Sequence, residues 1–245
     1  MRNLIKAEFY KLVKSFEYRV LLALGAGYGL FFCWLAFSNS SRIEGYRVLS
    51  SMHSFVLCHA ILTGAFAAFF LCGEFSGRTM GMSLLCGLPR RSVFLSKLTV
   101  YFAGLLCLLS AVAWLPTVII SCVNGYGMEL GLENCLDILA QVLFFWLVSA
   151  ALGGCFVLLA LVTKSAIATI GVGVGTSFML LFMTTTYLNA GEESYYRIKY
   201  SVIYQMFVLD NWEYVQRGLF VGVNLVTLVV ALTAAVMVFE RSELK

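Results

Sequence analysis

Charge is what this chain has least of. Asp, Glu, Lys and Arg make up 12% of its 245 residues, against 61% hydrophobic residues and a mean hydropathy of +0.90. Soluble domains carry about a quarter charged residues, so an ordinary water-surrounded globule is excluded. Proline is scarce as well, at two residues, and little therefore interrupts long helices. The only two histidines, His53 and His59, sit six positions apart, a spacing that does not bring them onto one helix face as a metal pair; core or interface packing suits them better. No GxxxxGK[ST] run occurs, so the chain does not hydrolyse ATP through a P-loop of its own. The eight cysteines, Cys33, Cys58, Cys72, Cys86, Cys107, Cys122, Cys135 and Cys155, contain no CxxC pair, and most fall in apolar runs where they read as small hydrophobes.

The chain instead has apolar runs long enough to cross a bilayer, which takes about 20 residues as a helix. The runs are too long and too unbroken for the alternating strands of a barrel, so the reading is an all-α, polytopic membrane protein. Six spans are predicted, at about Val20–Phe37, Ser54–Gly73, Leu98–Val123, Ile138–Thr163, Ser165–Leu188 and Gly218–Phe239. The first holds Gly25 and Gly29 at GxxxG spacing, which permits close helix contact. The third holds Pro116, which removes the bond to the Val112 carbonyl and should kink the helix. The fifth carries Gly171, Gly173 and Gly175. None of the six, so drawn, contains a charge. A mid-membrane charge costs about 2.5 to 3.5 kcal/mol on insertion scales, and ion-coupled carriers accept that cost, so proton or sodium coupling in this subunit is disfavoured. Gln141, Asn224 and Thr184 to Thr186 are the notable polar groups within spans, read as interhelical hydrogen bonders or, less readily, as pathway lining.

Residues 1–19 precede the spans as an amphipathic helix. Leu4, Ile5, Phe9, Leu12, Val13 and Phe16 fill one half of its wheel and Lys6, Tyr10, Lys11, Lys14 and Glu17 the other, with Glu8 and Ser15 inside the apolar arc. A basic helix of this kind belongs in the headgroup layer. No small-residue cleavage site clearly follows it, so it is expected to be retained rather than removed as a signal peptide. Basic residues also set orientation. With the N-terminus inside, Arg2, Lys6, Lys11, Lys14, Arg19, Arg78, Arg90, Arg91, Lys97, Lys164, Arg241 and Lys245 are cytoplasmic, and only Arg42, Arg47, Arg197, Lys199 and Arg217 are outside. Both termini are then cytoplasmic, and the net charge of +4 speaks to membrane topology rather than to nucleic acid.

Two polar segments stand out. Residues 74–97, on the inner side, read as a helical hairpin: Ser76 caps a short helix with Met80 and Leu84 on one face, Gly87 and Pro89 stop it, and a second helix starts near Pro89, carries Arg90, Arg91 and Lys97 and continues into the third span. A soluble partner could dock there, although the same charges would also anchor two spans. Residues 189–217, on the outer side, carry Tyr196, Tyr200, Tyr204 and Phe207 at helical spacing, which suits a short surface helix or a re-entrant pair. Within them Glu192, Glu193 and Arg197 fit EExxxR, which resembles the first motif of CAAX-type intramembrane proteases. Those enzymes need histidines downstream, and none follows Arg197 here, which leaves the protease a remote alternative.

The order of these elements resembles the permease subunit of a type-2 ATP-binding-cassette exporter. The likeness is carried by AEFYKLVKS at Ala7 to Ser15, by GEFSGRTMGMSLLCGLPRRSVFLSKL at Gly73 to Leu98, by the long external segment before the last span, and by the closing FERSELK. Glu74, Leu84, Leu85, Arg91 and Lys97 match the family pattern, whereas Arg78 separates Gly77 from Thr79, which are usually adjacent. The resemblance implies that residues 1–19 form the interfacial elbow helix ahead of a 20–245 transmembrane domain. Glu74, Phe75, Arg78, Thr79, Met80 and Leu84 would contact a separate ATPase subunit that holds ATP and Mg, with no cofactor on this chain. It also implies a second permease subunit, identical or related, with the second and fifth spans near the interface and Gly171, Gly173 and Gly175 permitting close approach. Small permeases of this shape resemble those that confer immunity to lantibiotics or bacitracin in bacteria, which implies an amphipathic peptide substrate. A non-transporting anchor or sensor that binds a partner through the same hairpin is the alternative.

Overall fold

The computed structural model describes residues 2–38, 43–50, 56–76, 89–127, 132–190, 200–208 and 216–241, all helical or in short connections, with no strand among them. Six helices are long and apolar enough to cross a membrane: Phe16–Ser38, Cys58–Phe75, Arg90–Asn124, Asn134–Thr163, Ala166–Met183 and Arg217–Arg241. They correspond one for one with the six predicted spans. The largest difference lies at the third, whose helix starts eight residues before Leu98 because Pro89, extended at φ −64° and ψ 132°, forms its N-terminal boundary and nothing interrupts it afterwards. It runs on through Pro116.

Ahead of the spans, α1 (Arg2–Lys14) stops at Ser15 and α2 (Phe16–Ser38) begins at once. Ser15 makes the joint: its hydroxyl donates to the Leu12 carbonyl at 2.9 Å and accepts from the Tyr18 amide at 3.3 Å, capping α2. Residues 16–19 thus belong to the first span. In α1, Glu8 and Leu12 are buried, whereas Phe9 and Val13 are exposed, as is Phe16 at the start of α2. The apolar half-wheel is shared between a face packed on the bundle, on the Glu8 side, and an exposed face, on the Phe9 side.

Small residues set the helix packing. A Cβ on Gly25 would lie 2.7 Å from Val112 and one on Gly29 3.3 Å from the Pro116 ring, so the GxxxG pair seats α2 against α6 (Arg90–Asn124). The second span, formed by α4 (Val56–Ala67), a π turn at Ala68–Cys72 and α5 (Gly73–Ser76), packs on α8 (Ala166–Ala190), with Gly64 and Gly173 back to back. Helix α7 (Leu132–Thr163) packs along α10 (Arg217–Arg241), where Phe144 and Phe220 stack at 4.9 Å.

Two short helices close the end opposite α1. Helix α3 (Gly45–Ser50) is tied to the end of α6, with the Gly45 and Tyr46 amides donating to the Gly125 and Tyr126 carbonyls at 3.1 and 3.0 Å. Asn124 adds a bond to the Ile43 carbonyl at 2.9 Å. Helix α9 (Val202–Val208) packs on α7, α8 and α10. Its inward residues are Val202 and Gln205, not the tyrosines: Tyr204 is half-buried and Tyr200 lies exposed in the preceding turn. Tyr204 still packs against the core from the side of the helix, and only Tyr200 of the two described tyrosines is turned to the outside. Tyr196 and the EExxxR residues Glu192, Glu193 and Arg197 lie outside the described residues.

Candidate functional site

At the end of the bundle that carries α1, three helices bring charges together. Glu8 comes from α1, Glu74 from α5 and Lys97 from the second turn of α6. The Lys97 side chain is 1% exposed; its Nζ lies 2.9 Å from Glu8 Oε2 and in direct contact with Glu74 Oε2. Lys11, half-exposed, lies 3.4 Å from Glu8 and 3.8 Å from Glu74. Two carboxylates that would repel each other are held apart by two ammonium groups, and each buried charge has an opposite charge in contact.

The π turn explains how Glu74 reaches this cluster. Phe66, eight residues earlier, faces α6, where it stacks on Tyr101 with centroids 5.0 Å apart. In an unbroken α-helix a residue eight positions on would point roughly 80° away from that face. A π turn absorbs one extra residue, which brings Glu74 to within about 20° of the Phe66 direction. On α6, Lys97 precedes Tyr101 by four residues and shares its face. One inserted residue in the second span thus aligns an aromatic contact and an ion pair along a single seam.

The surrounding elements are fastened to the same end. Lys164 bridges α7 and α8 with a left-handed backbone, φ 49°, and its ammonium lies 5.8 Å above the Phe75 ring. Arg91 pairs with Glu240 at the end of α10, Arg90 donates to the Glu240 carbonyl at 3.2 Å, and Phe94 stacks on Phe239 at 4.6 Å. The described residues on either side of segment 77–88 therefore lie in a platform to which α1, the second span, α6, the linker between α7 and α8 and the end of α10 contribute.

Of the sequence-predicted contact residues, Glu74 and Phe75 lie in this platform, Glu74 in the ion cluster and Phe75 under Lys164. Arg78, Thr79, Met80 and Leu84 lie outside the described residues. Ser76 has helical backbone in the last described turn, and the short helix it was read to cap lies outside the described residues. Among the pathway candidates, Gly173 is consumed by the contact with Gly64, its Cβ position lying 3.0 Å from the Ala60 carbonyl, whereas Gly171 and Gly175 face outward with nothing among the described residues within 4 Å of a Cβ there. Asn224 is fully buried and donates to the Phe220 carbonyl of its own helix at 2.8 Å; Gln141 is half-buried near the opposite end of α7. His59 is core, edge-on to Phe145 with ring centroids 5.3 Å apart. Sequence reasoning missed Glu8, Lys11 and Lys164. The one signal for Glu8 was its place inside the apolar arc of α1.

A six-span helical bundle with a charged platform at one end defines a multi-pass membrane protein. The family model described as ABC-2 family transporter protein matches residues 4–180, from α1 through most of the fifth span and including Glu8, Glu74 and Lys97. The chain belongs to this family, and is an ABC-2 type permease component rather than the catalytic part of a transporter. No curated protein matches the chain.

Proposed function

We propose that this chain is the membrane-spanning subunit of an ATP-binding-cassette exporter whose ATP and Mg are held by a separate ATPase, docked on segment 77–88 and on Glu74 and Phe75 at its base. The observation that carries the reading is the Glu8–Lys97–Glu74 cluster. Force on a docking segment moves a transmembrane bundle only if the segment's base is rigidly joined to the spans, and here a buried ion cluster joins it to α1 and α6. The positive-inside distribution puts this end in the cytoplasm, where ATP is. Two such subunits enclose the path, with the outward-facing Gly171 and Gly175 available for contact between them. The substrate is an amphipathic antimicrobial peptide or a similar amphiphile, in keeping with the small immunity permeases that the chain resembles.

The test is affinity purification of the tagged chain from native membranes in mild detergent, with mass spectrometry of what co-purifies. The expected result is a P-loop ATPase whose recovery falls at least several-fold in Arg78→Glu and Met80→Asp, variants whose membrane level matches wild type. Recovery of the chain intact without any ATPase, or with an ATPase indifferent to both substitutions, overturns the docking assignment.

A further inference from the structure

We propose that the cleft between α1 and the second span is a binding site for one zwitterionic aminophospholipid, with its ammonium on Glu17 and its phosphate on Lys11. The cleft encloses about 140 Å³. That is small beside pockets for whole ligands, which run from about 300 Å³ upward, and it suits the head and upper chain of an amphiphile rather than a folded peptide.

Its polarity runs in register with a bilayer on both walls. On the first span, Glu17 stands at the helix start, and Tyr18 and Leu21 follow inward, Leu21 about 6 Å deeper. On the second span, Glu74 stands at the helix end, and Phe70, Phe69 and Phe66 follow inward, Phe66 about 12 Å deeper. Charge therefore lies at headgroup level and apolar surface at acyl level. Phe69 is 45% exposed, so the apolar part opens sideways to the hydrocarbon.

The rim charges select the head. Glu8, Glu17, Glu74 and Lys11 line it, and Lys97 stands behind Glu8 and Glu74. Two ammonium groups thus balance two carboxylates, and Glu17 is left over, exposed and without an ion pair among the described residues. Within the lining and Lys97 behind it the carboxylates exceed the ammonium groups by one, which disfavours an anionic headgroup; Arg19, which donates to the Ser15 and Lys14 carbonyls at 3.3 Å, stands outside the lining. An ethanolamine headgroup places its ammonium on Glu17 while the half-exposed Lys11 takes the phosphate. The site stands whether or not the ATPase reading holds, because it uses only the bilayer and this chain.

Native mass spectrometry of the full-length protein released from nanodiscs of equal phosphatidylethanolamine and phosphatidylglycerol tests it. Wild type is expected to retain one phosphatidylethanolamine, favoured about tenfold over phosphatidylglycerol, because the ethanolamine head forms a charge-assisted hydrogen bond with Glu17 and avoids the repulsion that an anionic head meets. Glu17→Lys should reverse the preference. Phe69→Ala, on the exposed wall, should lower retention of both lipids without changing their ratio. Equal retention of the two lipids by wild type, or a ratio unmoved by Glu17→Lys, overturns the proposal. So does retention of an added synthetic cationic amphipathic peptide, sensitive to Glu17→Lys, by protein that retains no lipid.

Discussion

Lys97 is the residue on which the platform depends most, because it is the buried group that both carboxylates touch. Removing one partner of a buried ion pair typically costs about 3 to 5 kcal/mol, most of it the penalty of leaving charge uncompensated. Lys97→Met should therefore lower the thermal unfolding temperature of the detergent-purified protein steeply. The triple variant Glu8→Gln, Glu74→Gln, Lys97→Met removes all three charges and should recover most of that loss, since a neutral replacement of a buried cluster is often tolerated. A triple variant no more stable than Lys97→Met would show that packing at Lys97, and not charge balance, holds the corner. Little of this was legible from sequence. Lys97 read as the flank of a span, because hydropathy weighs each residue by its own polarity and is blind to partners 23 and 89 positions away. Glu8 offered the one clue, a carboxylate among apolar neighbours, and only a partner on another helix gives it meaning.

At the scale of the elements, the six spans were legible almost to their ends because lipid forces each into a long apolar helix that hydropathy detects. The π turn at Ala68–Cys72 was not, since an extra residue in a helix leaves composition and periodicity over so short a stretch unchanged. Its consequence can be measured. Inserting one alanine after Phe69 adds a residue that the π turn does not absorb and should swing Glu74 away from Lys97 by about 100°. The expected outcome is a protein that still inserts, with substrate-dependent protection of cells lost. Protection at wild-type level would show that the direction of Glu74 does not matter to coupling. The glycines of the fifth span separate two kinds of helix contact in the same way. Gly173→Leu drives a side chain into the Ala60 carbonyl and the Gly64 backbone, and overpacking of this kind costs about 1 to 3 kcal/mol or more in the isolated chain. Gly175→Leu meets nothing among the described residues and should leave the melting temperature unchanged. If Gly175 faces a second permease subunit, the same substitution should reduce the cross-linked dimer in native membranes. An unaltered dimer yield would move the subunit interface to another face.

For the whole molecule, the platform joins α1, the second and third spans, the linker between the fourth and fifth, and the end of the sixth, so the two spans that flank the proposed docking segment are tied to the rest of the bundle. A bundle tied in this way transmits in both directions. If ATP binding at the partner changes the arrangement of the spans, then substrate bound among the spans must change the partner's affinity for nucleotide by the same factor. Couplings of this kind amount to about 1 to 3 kcal/mol, or roughly 5- to 150-fold in affinity. In the reconstituted complex, a saturating amphipathic substrate should therefore shift the equilibrium binding of a non-hydrolysable ATP analogue by a factor in that range. The Lys97→Met complex, assayed below its melting temperature, should bind analogue and substrate each with near wild-type affinity but lose most of the shift between them. Binding without linkage is the signature of a broken connection between two intact sites, whereas weaker binding of either ligand would point to a damaged site. A shift that survives in Lys97→Met at full size would mean that the conformational signal bypasses α1 and α6, leaving the contact of Lys164 with Phe75, and through it the fourth and fifth spans, as the route by which the docking segment moves the bundle.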